Sequence, residues 1–377
     1  MMLEFMFFFS IVFILYAYFG YLLALFILSF FKSRPVAKGN ITPTVSFIIT
    51  AYNEEKRIVE KIENTLKQDY PREKLEIIVA SDCSSDRTDE IVKSYQSIGL
   101  RLVRASARKG KENAQKLAVD AASGDILIFS DSATILMPDG ISKIVRNFND
   151  PTVGCVSSVD KFIDSEGSIS GEGAYVKYEM LSRSLETKVN TLVGLSGSFF
   201  AARKEVCKDW SADLQSDFNT LLNSIKIGLR GVSDPDSIGY YRNIADEKKE
   251  FDRKVRIVLR GISVFMRNLE LLNPLKYGLF SWQLFSHKLC RWMVPFGMLI
   301  ALGTNILLAF NSLFYTVALV IQIVFYSFAL AGMYLGSFSR GILKLPFFFV
   351  SVNYAILNAW FKYVSGERMV SWPPSQR

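Results

Sequence analysis

Three stretches without a single Asp, Glu, Lys or Arg constrain this chain more than any other feature: Phe5–Phe31, Trp292–Ser339 and Leu345–Phe361, of 27, 48 and 17 residues. A bilayer core takes about 20 apolar residues per helix, so the first run is one tilted span and the second is two. Asn311 and Ser312 supply a polar turn that divides the second into Trp292–Phe310 and Leu313–Leu335. The last run carries Asn353 and Asn358 and fits either a fourth span or an interfacial or re-entrant helix. Glu4 precedes the first run and Lys32, Arg34 and Lys38 follow it, which is not the layout of a cleaved signal peptide. The positive-inside bias then places the N-terminus outside and the chain after Lys32 in the cytoplasm, with Arg340 and Lys344 returning inside. A spanning last run would put Lys362, Arg368 and Arg377 outside, against that bias.

The 80 charged residues therefore fall on the other 285 positions, about 28%, an ordinary soluble composition. The chain is therefore part membrane protein and part soluble domain. His287 is the only histidine, so Ser-His-Asp hydrolysis, histidine-rich zinc sites and H-E-x-x-H proteolysis are excluded from the soluble part, and a general base is expected to be Asp or Glu. Cys83, Cys155, Cys207 and Cys290 are too dispersed for a zinc ribbon or a C-x-x-C pair and read as small buried hydrophobes in a reducing compartment.

Within the soluble part, Val45–Thr50, Leu75–Ser81, Leu100–Arg104 and Ile126–Ser130 are short β-branched apolar runs that predict buried strands. Helical periodicity fills the intervals Glu54–Gln68, Asp86–Ile98 and Lys111–Ala122. Such alternation predicts an α/β fold of right-handed βαβ units, a parallel sheet covered on both faces and a ligand site beyond the carboxyl ends of the strands. Polar clusters stand at those ends: Tyr52, Asn53 and Glu54; Ser81 to Asp86; Asp131 to Ala133. Asp86 is placed to cap the following helix, whereas Asp82 and Asp131 come too early for a simple cap and point to function. Neither G-x-G-x-x-G nor a P-loop occurs. The basic run Arg101–Lys116 has no interleaved aromatic residue, which argues against nucleic acid; Lys109 and Gly110, in a loop beside the strand ends, suit a phosphate or nucleotide.

The segments AYNEE (Ala51–Glu55), SDCSSDRT (Ser81–Thr88), RKGK (Arg108–Lys111), FSDSAT (Phe129–Thr134), SGSFFAARKE (Ser196–Glu205), SDF (Ser216–Phe218) and RKVRIVLRG (Arg253–Gly261) occur in this order over about 210 residues. Together they resemble the membrane-bound inverting glycosyltransferases of family 2, with the GT-A fold, related to cellulose, hyaluronan and poly-N-acetylglucosamine synthases. SHKLCRW (Ser286–Trp292) looks like that subgroup's entry into its membrane helices. The resemblance implies a Rossmann-like mixed sheet and a nucleotide-sugar donor, most often a UDP-sugar. Ala51, Tyr52, Glu54, Asp82 and Lys109 would hold base and ribose, and Asp131 the nucleotide or its Mg²⁺ or Mn²⁺. Ser196 and Gly197 fall on the acceptor side, Asp217 matches the general base, and Arg253 and Arg256 match the segment near the leaving diphosphate. Two departures stand out. The family's D-x-D is here Asp131-Ser132-Ala133, without the third-position ligand, and Q-x-x-R-W has Arg253 for Gln and Ile257 for Trp.

The expected partition is an anchor (1–36), a GT-A domain (37–262), interfacial amphipathic helices broken at Asn273 and Pro274 (263–291), and a C-terminal membrane region with tail (292–377). Expected partners are the donor, a lipid-linked or glycan acceptor and the bilayer of the cell membrane. The loss of the acceptor-stacking Trp, and spans with no charge to contact a sugar chain, predict one or a few transfers rather than sustained polymerisation. Two other readings compete: a processive polysaccharide synthase, and a catalytically silent subunit of a polysaccharide complex, which the incomplete D-x-D favours and the retained Asp217 opposes.

Overall fold

The computed structural model describes residues 1–163, 174–242, 247–335 and 344–369; Arg340 and Arg377, used above for orientation, lie outside the described residues. The helices and strands, in chain order, are α1 (Met2–Phe31), β1 (Val45–Ala51), α2 (Ile58–Leu66), β2 (Leu75–Ser81), α3 (Thr88–Ser94), β3 (Leu100–Arg104), α4 (Lys111–Ala121), β4 (Ile126–Asp131), β5 (Ile135–Leu136), α5 (Gly140–Val145), β6 (Val153–Ile163), α6 (Ala174–Val189), β7 (Phe199–Arg203), α7 (Ser216–Lys226), β8 (Arg230–Arg242), α8 (Glu247–Met266), α9 (Leu279–Leu308), α10 (Leu313–Leu335) and α11 (Lys344–Val364). They fall into two compact units: one holds the sheet and its helices together with residues 264–280, the other the membrane helices and α8 through Ser263. This cuts the chain differently from the sequence-based partition, which kept all of 37–262 together and set 263–291 apart.

In the sheet unit, eight strands run in the order β3-β2-β1-β4-β7-β6-β8-β5. β3, β2, β1 and β4 are parallel, as the βαβ alternation predicts. The fully parallel expectation stops there: β7 is antiparallel to β4 and to β6, β8 is parallel to β6, and β5 is antiparallel to β8. The mixed sheet implied by the resemblance is the one observed. β1 and β4 read as unbroken apolar runs because both faces are covered. Phe47, Ile49, Ile77 and Val79 pack with Ile58 and Ile62 of α2 on one face, and Ile48, Ile78, Leu127 and Phe129 pack with Ala114 and Ala118 of α4 on the other.

The helix predicted from Glu54 begins only at Ile58. Asn53 adopts a left-handed backbone (φ 53°), and the next two N–H groups are taken by the neighbouring loop: Glu54 donates to Thr88 Oγ1 (2.8 Å) and Glu55 to Asp86 Oδ2 (3.1 Å). Asp86 also accepts from the Thr88 N–H (3.0 Å), but it stands one residue before Arg87, the N-cap of α3, so it braces the loop at the start of that helix rather than capping it as expected.

Among the described residues, three helices are long and apolar enough to cross a membrane: α1, α9 and Leu313–Gly332 within α10. α1 and α9 each contain one widened turn, Tyr16–Gly20 and Phe285–Cys290. These turns meet through polar bonds, Tyr16 Oη to Ser286 Oγ (2.7 Å) and Trp282 Nε1 donating to Tyr16 Oη (3.0 Å), which satisfies groups that lipid would leave unpaired. Between Leu308 and Leu313 the Ser312 hydroxyl accepts the Phe314 N–H (3.3 Å), the polar turn the sequence predicts. α11 is not among the candidate spans; its Asn353 is buried and donates to Tyr18 Oη (3.2 Å), and Trp360 Nε1 donates to the Trp292 carbonyl (3.0 Å). After the break at Gly278 (φ 55°), residues from Leu279 run without a breaker into α9, so His287 and Arg291 are buried on it, 3.2 Å apart.

Candidate active site

The site lies at the carboxyl ends of β1, β2 and β4. Asp82, just past β2, accepts the backbone N–H groups of Lys109 (3.0 Å) and Gly110 (2.9 Å). That bond sets the N-terminus of α4, and Gly110 there has φ 102°, which a side chain resists. The carboxylate expected to meet base or ribose therefore also fastens the basic loop, with lone pairs left over. The Arg108 guanidinium lies 4.1 Å from the centre of the Tyr52 ring, and the Ala51 carbonyl accepts the Asp82 N–H (3.0 Å). The Lys109 side chain is exposed. Ala51, Tyr52, Asp82 and Lys109 are thus brought together as one wall.

Asp131 ends β4, its backbone N–H bound to the Ser198 carbonyl (3.0 Å). Its carboxylate is 35% exposed and pairs with the Lys111 ammonium, which also donates to the Gly197 carbonyl (3.0 Å). Lys111 is held in place from below, where Trp210 stacks on Phe129 (4.8 Å) and donates its indole N–H to the Glu112 carbonyl (3.0 Å). Burial pushes the Glu54 carboxyl above the usual range; Arg57 and a hydrogen bond with Ser132 oppose this, and the charges of Asp131 and Asp86 add to it.

Asp217 is the second residue of α7, not its cap; its Oδ1 accepts the Phe218 N–H (2.9 Å) and its Oδ2 the Gln215 amide (3.2 Å). It is 9% exposed and lies so close to Gly197 that a Cβ there would sit 2.9 Å from Oδ2. Lys111 links the Asp131 carboxylate to the Gly197 carbonyl, and Gly197 lies beside the Asp217 carboxylate, so the two carboxylates border one site. Ser196 faces inward and is 3% exposed, donating to Asp160 (2.6 Å), which also accepts from Ser198. Burial drives the Asp160 carboxyl up, against the bonds from Ser196 and Ser198. Arg253 and Arg256 are on α8, in the other compact unit, and Arg253 makes a two-point pair with Glu250 (2.8 and 3.0 Å).

Three residues escape the sequence reading as site members: Lys111, which stands there in a basic run and in the RKGK segment without a role, Asp160, and Lys61 on α2. Lys61 is fully buried, and burial lowers its ammonium to about 7 while the charge of Asp131 opposes the shift. Its one sequence signal is its place between Ile58 and Ile62 on the apolar face of α2.

The resemblance implies Mg²⁺ or Mn²⁺ beside Asp131. Ala133 offers no ligand, and among the described residues no group of three His, Cys, Asp or Glu side chains gathers around one point. These ions commonly take one or two carboxylates and complete their shell with substrate phosphates and water. The half-exposed Asp131 fits an ion that arrives with a diphosphate.

Residues 46–210 match the family described as glycosyl transferase family 2. Over 198 residues the chain is 31% identical to a poly-beta-1,6-N-acetyl-D-glucosamine synthase of Staphylococcus aureus, covering 50% of this chain and 46% of that one. It is 34% identical over 89 residues, 23% of this chain and 16% of the other, to the poly(ribitol-phosphate) beta-N-acetylglucosaminyltransferase TarS of the same species. The chain thus spans less than half the length of these curated relatives. Among solved structures, the mannosyltransferase PcManGT from Pyrobaculum calidifontis, in complex with GDP-Man and Mn²⁺, superposes with a TM-score of 0.73 at 21% identity, over 95% of this chain and 99% of that one. That likeness establishes the GT-A type of fold.

Proposed function

We propose that this chain, which carries a glycosyltransferase family 2 domain, is an inverting glycosyltransferase that moves a sugar from a nucleotide-sugar, in the first instance a UDP-sugar, to a membrane-associated acceptor in cell-surface glycan synthesis. The observation that carries this reading is the bridge Asp131–Lys111–Gly197–Asp217, which sets a donor-side carboxylate and a base candidate at one site.

In this reading Tyr52, Glu54, Asp82 and Lys109 take the nucleoside. Asp131 would hold Mg²⁺ or Mn²⁺ together with the diphosphate, and such an ion would supply positive charge to the leaving group. An acceptor hydroxyl oxygen forms its bond to the anomeric carbon as the bond from that carbon to the diphosphate oxygen breaks. The hydroxyl proton passes to Asp217, the diphosphate leaves with the electron pair, and one displacement inverts the configuration. The charge developing on the departing oxygens favours fixed cations nearby, and Lys111, paired with Asp131, is a cation of the sheet unit placed for this. The roles of Arg253 and Arg256 rest on the resemblance alone. The three apolar helices support a membrane-associated acceptor, and Ile257 supports short rather than polymeric products.

The test is UDP release by the purified, detergent-solubilised chain, screened over UDP-sugars with and without Mn²⁺, for the wild type and for Asp217→Asn. General-base loss usually costs 10²–10⁴-fold, so the variant is expected to keep donor binding and lose transfer by at least about a hundredfold. Near-normal turnover refutes the assignment.

A further inference from the structure

Lys61 is a charged group that the mechanism above does not use. It projects from α2 into the core and is 0% exposed. Its ammonium donates to Ser130 Oγ (2.7 Å) and to the Thr134 carbonyl (2.6 Å), with the Phe47 ring centre 5.2 Å away. Those two acceptors bracket Asp131. Ser130 precedes it in β4, and Thr134 closes the following turn by donating its N–H to the Asp131 carbonyl (3.1 Å). The negative charge that opposes the cost of burying Lys61 is that of Asp131. An ammonium taken fully out of water costs several kcal/mol, and an apolar side chain of similar volume is usually no worse for the fold. Packing against Ile58 and Ile62 gives no reason for a lysine here; the turn that carries Asp131 does.

We propose that Lys61 is a positioning residue of the donor site: from beneath the end of β4 it fixes the Ser130–Thr134 turn and balances the Asp131 carboxylate against the negative charge of an arriving nucleoside diphosphate. This rests on the assignment of Asp131 to the diphosphate made above. Of the nucleoside residues Glu54 touches this turn, through Ser132, whereas Asp82 is fastened to the Lys109–Gly110 loop and Tyr52 lies against Arg108, so the affinity of the nucleoside wall is largely a separate quantity.

The experiment measures equilibrium binding of UDP and of UMP to the full chain in detergent with Mn²⁺, with GDP and GMP run in parallel. Wild type is compared with Lys61→Met, which keeps the volume and removes the charge, and with Ser130→Ala, which removes one of the two acceptors. Hydrogen bonds to charged groups are commonly worth a tenfold change in affinity or more. Lys61→Met is therefore expected to weaken the diphosphate roughly tenfold and the monophosphate less than twofold; Ser130→Ala should show the same selectivity at smaller amplitude and carries the test if Lys61→Met does not melt cooperatively. Equal losses for both nucleotides, or no loss for either, would overturn the proposal and leave the transferase reading intact. A wild type that binds neither UDP nor GDP would overturn both.

Discussion

Replacing Gly197 by Ala puts a methyl group against the base. The added Cβ would stand 2.9 Å from Asp217 Oδ2 and 3.5 Å from its Cγ, where ordinary contact begins near 3.4 Å, so the carboxylate must retreat by about half an ångström. It does not retreat freely, because Oδ1 is held by the Phe218 N–H and Oδ2 by Gln215. Gly197 has no left-handed backbone to protect, so the substitution acts through this contact and not through strain. A misplacement of 1 Å can cost about 10² in rate, and half of that predicts roughly a tenfold fall in kcat. In the proposed function the donor is held at Tyr52, Asp82 and Asp131, so its affinity should stay within about twofold. The melting temperature should move little, since the clash is with the end of a side chain. The assay is steady-state UDP release alongside UDP binding and thermal melting, with Asp217→Asn as the lower reference. Wild-type kcat in Gly197→Ala would refute the argument that the close approach places the base, and a fall in kcat matched by loss of UDP binding would show that the donor site had moved instead.

Two further outcomes are expected. At Asp150, burial raises the carboxyl, but bonds from Thr152, Arg230 and the Ala37 N–H outweigh it and hold the group at about 2. The folded value lies below the usual one of about 3.9, so its contribution is present at neutral pH and is lost as pH falls from about 4 through 2; allowing for its partial exposure this is about 1–2 kcal/mol. Melting temperatures followed from pH 6 to pH 2.5 should fall less steeply in Asp150→Asn than in wild type, and equal slopes would contradict the sign argument. The proposed orientation predicts that a cysteine at position 2 reacts with an impermeant thiol reagent on intact cells, while Cys83, the partly exposed native cysteine among three buried ones, reacts only after permeabilisation. The reverse pattern would remove the cytoplasmic supply of nucleotide-sugar from the reading.

The sequence determined those features whose cause is local or is repeated along the chain. A bilayer-length apolar run needs no partner to be recognised, and α1, α9 and α10 appear where the uncharged runs lie. β1, β2 and β4 were legible because strands covered on both faces are mostly apolar along their length, β3 because its apolar residues alternate with Arg101 and Arg104 at the sheet edge, and Asp82 and Asp131 because polar residues stop the buried runs. Asp217 was legible only through the resemblance, since SDF before a helix also reads as a cap. The other half of the sheet was not read: β6 and β8 carry Ser, Asp and Gly at positions that periodicity assigns to loops, and they are strands because they pair with each other and with β7. Tertiary structure alone decided the site's interior. Lys111 meets Gly197 across 86 residues, Lys61 meets Ser130 across 69, and Ser196 meets Asp160 across 36. No one-dimensional pattern marks a lysine that will be buried beneath a carboxylate, because the energy that permits it comes from acceptors and charge that only the folded sheet brings within hydrogen-bond reach.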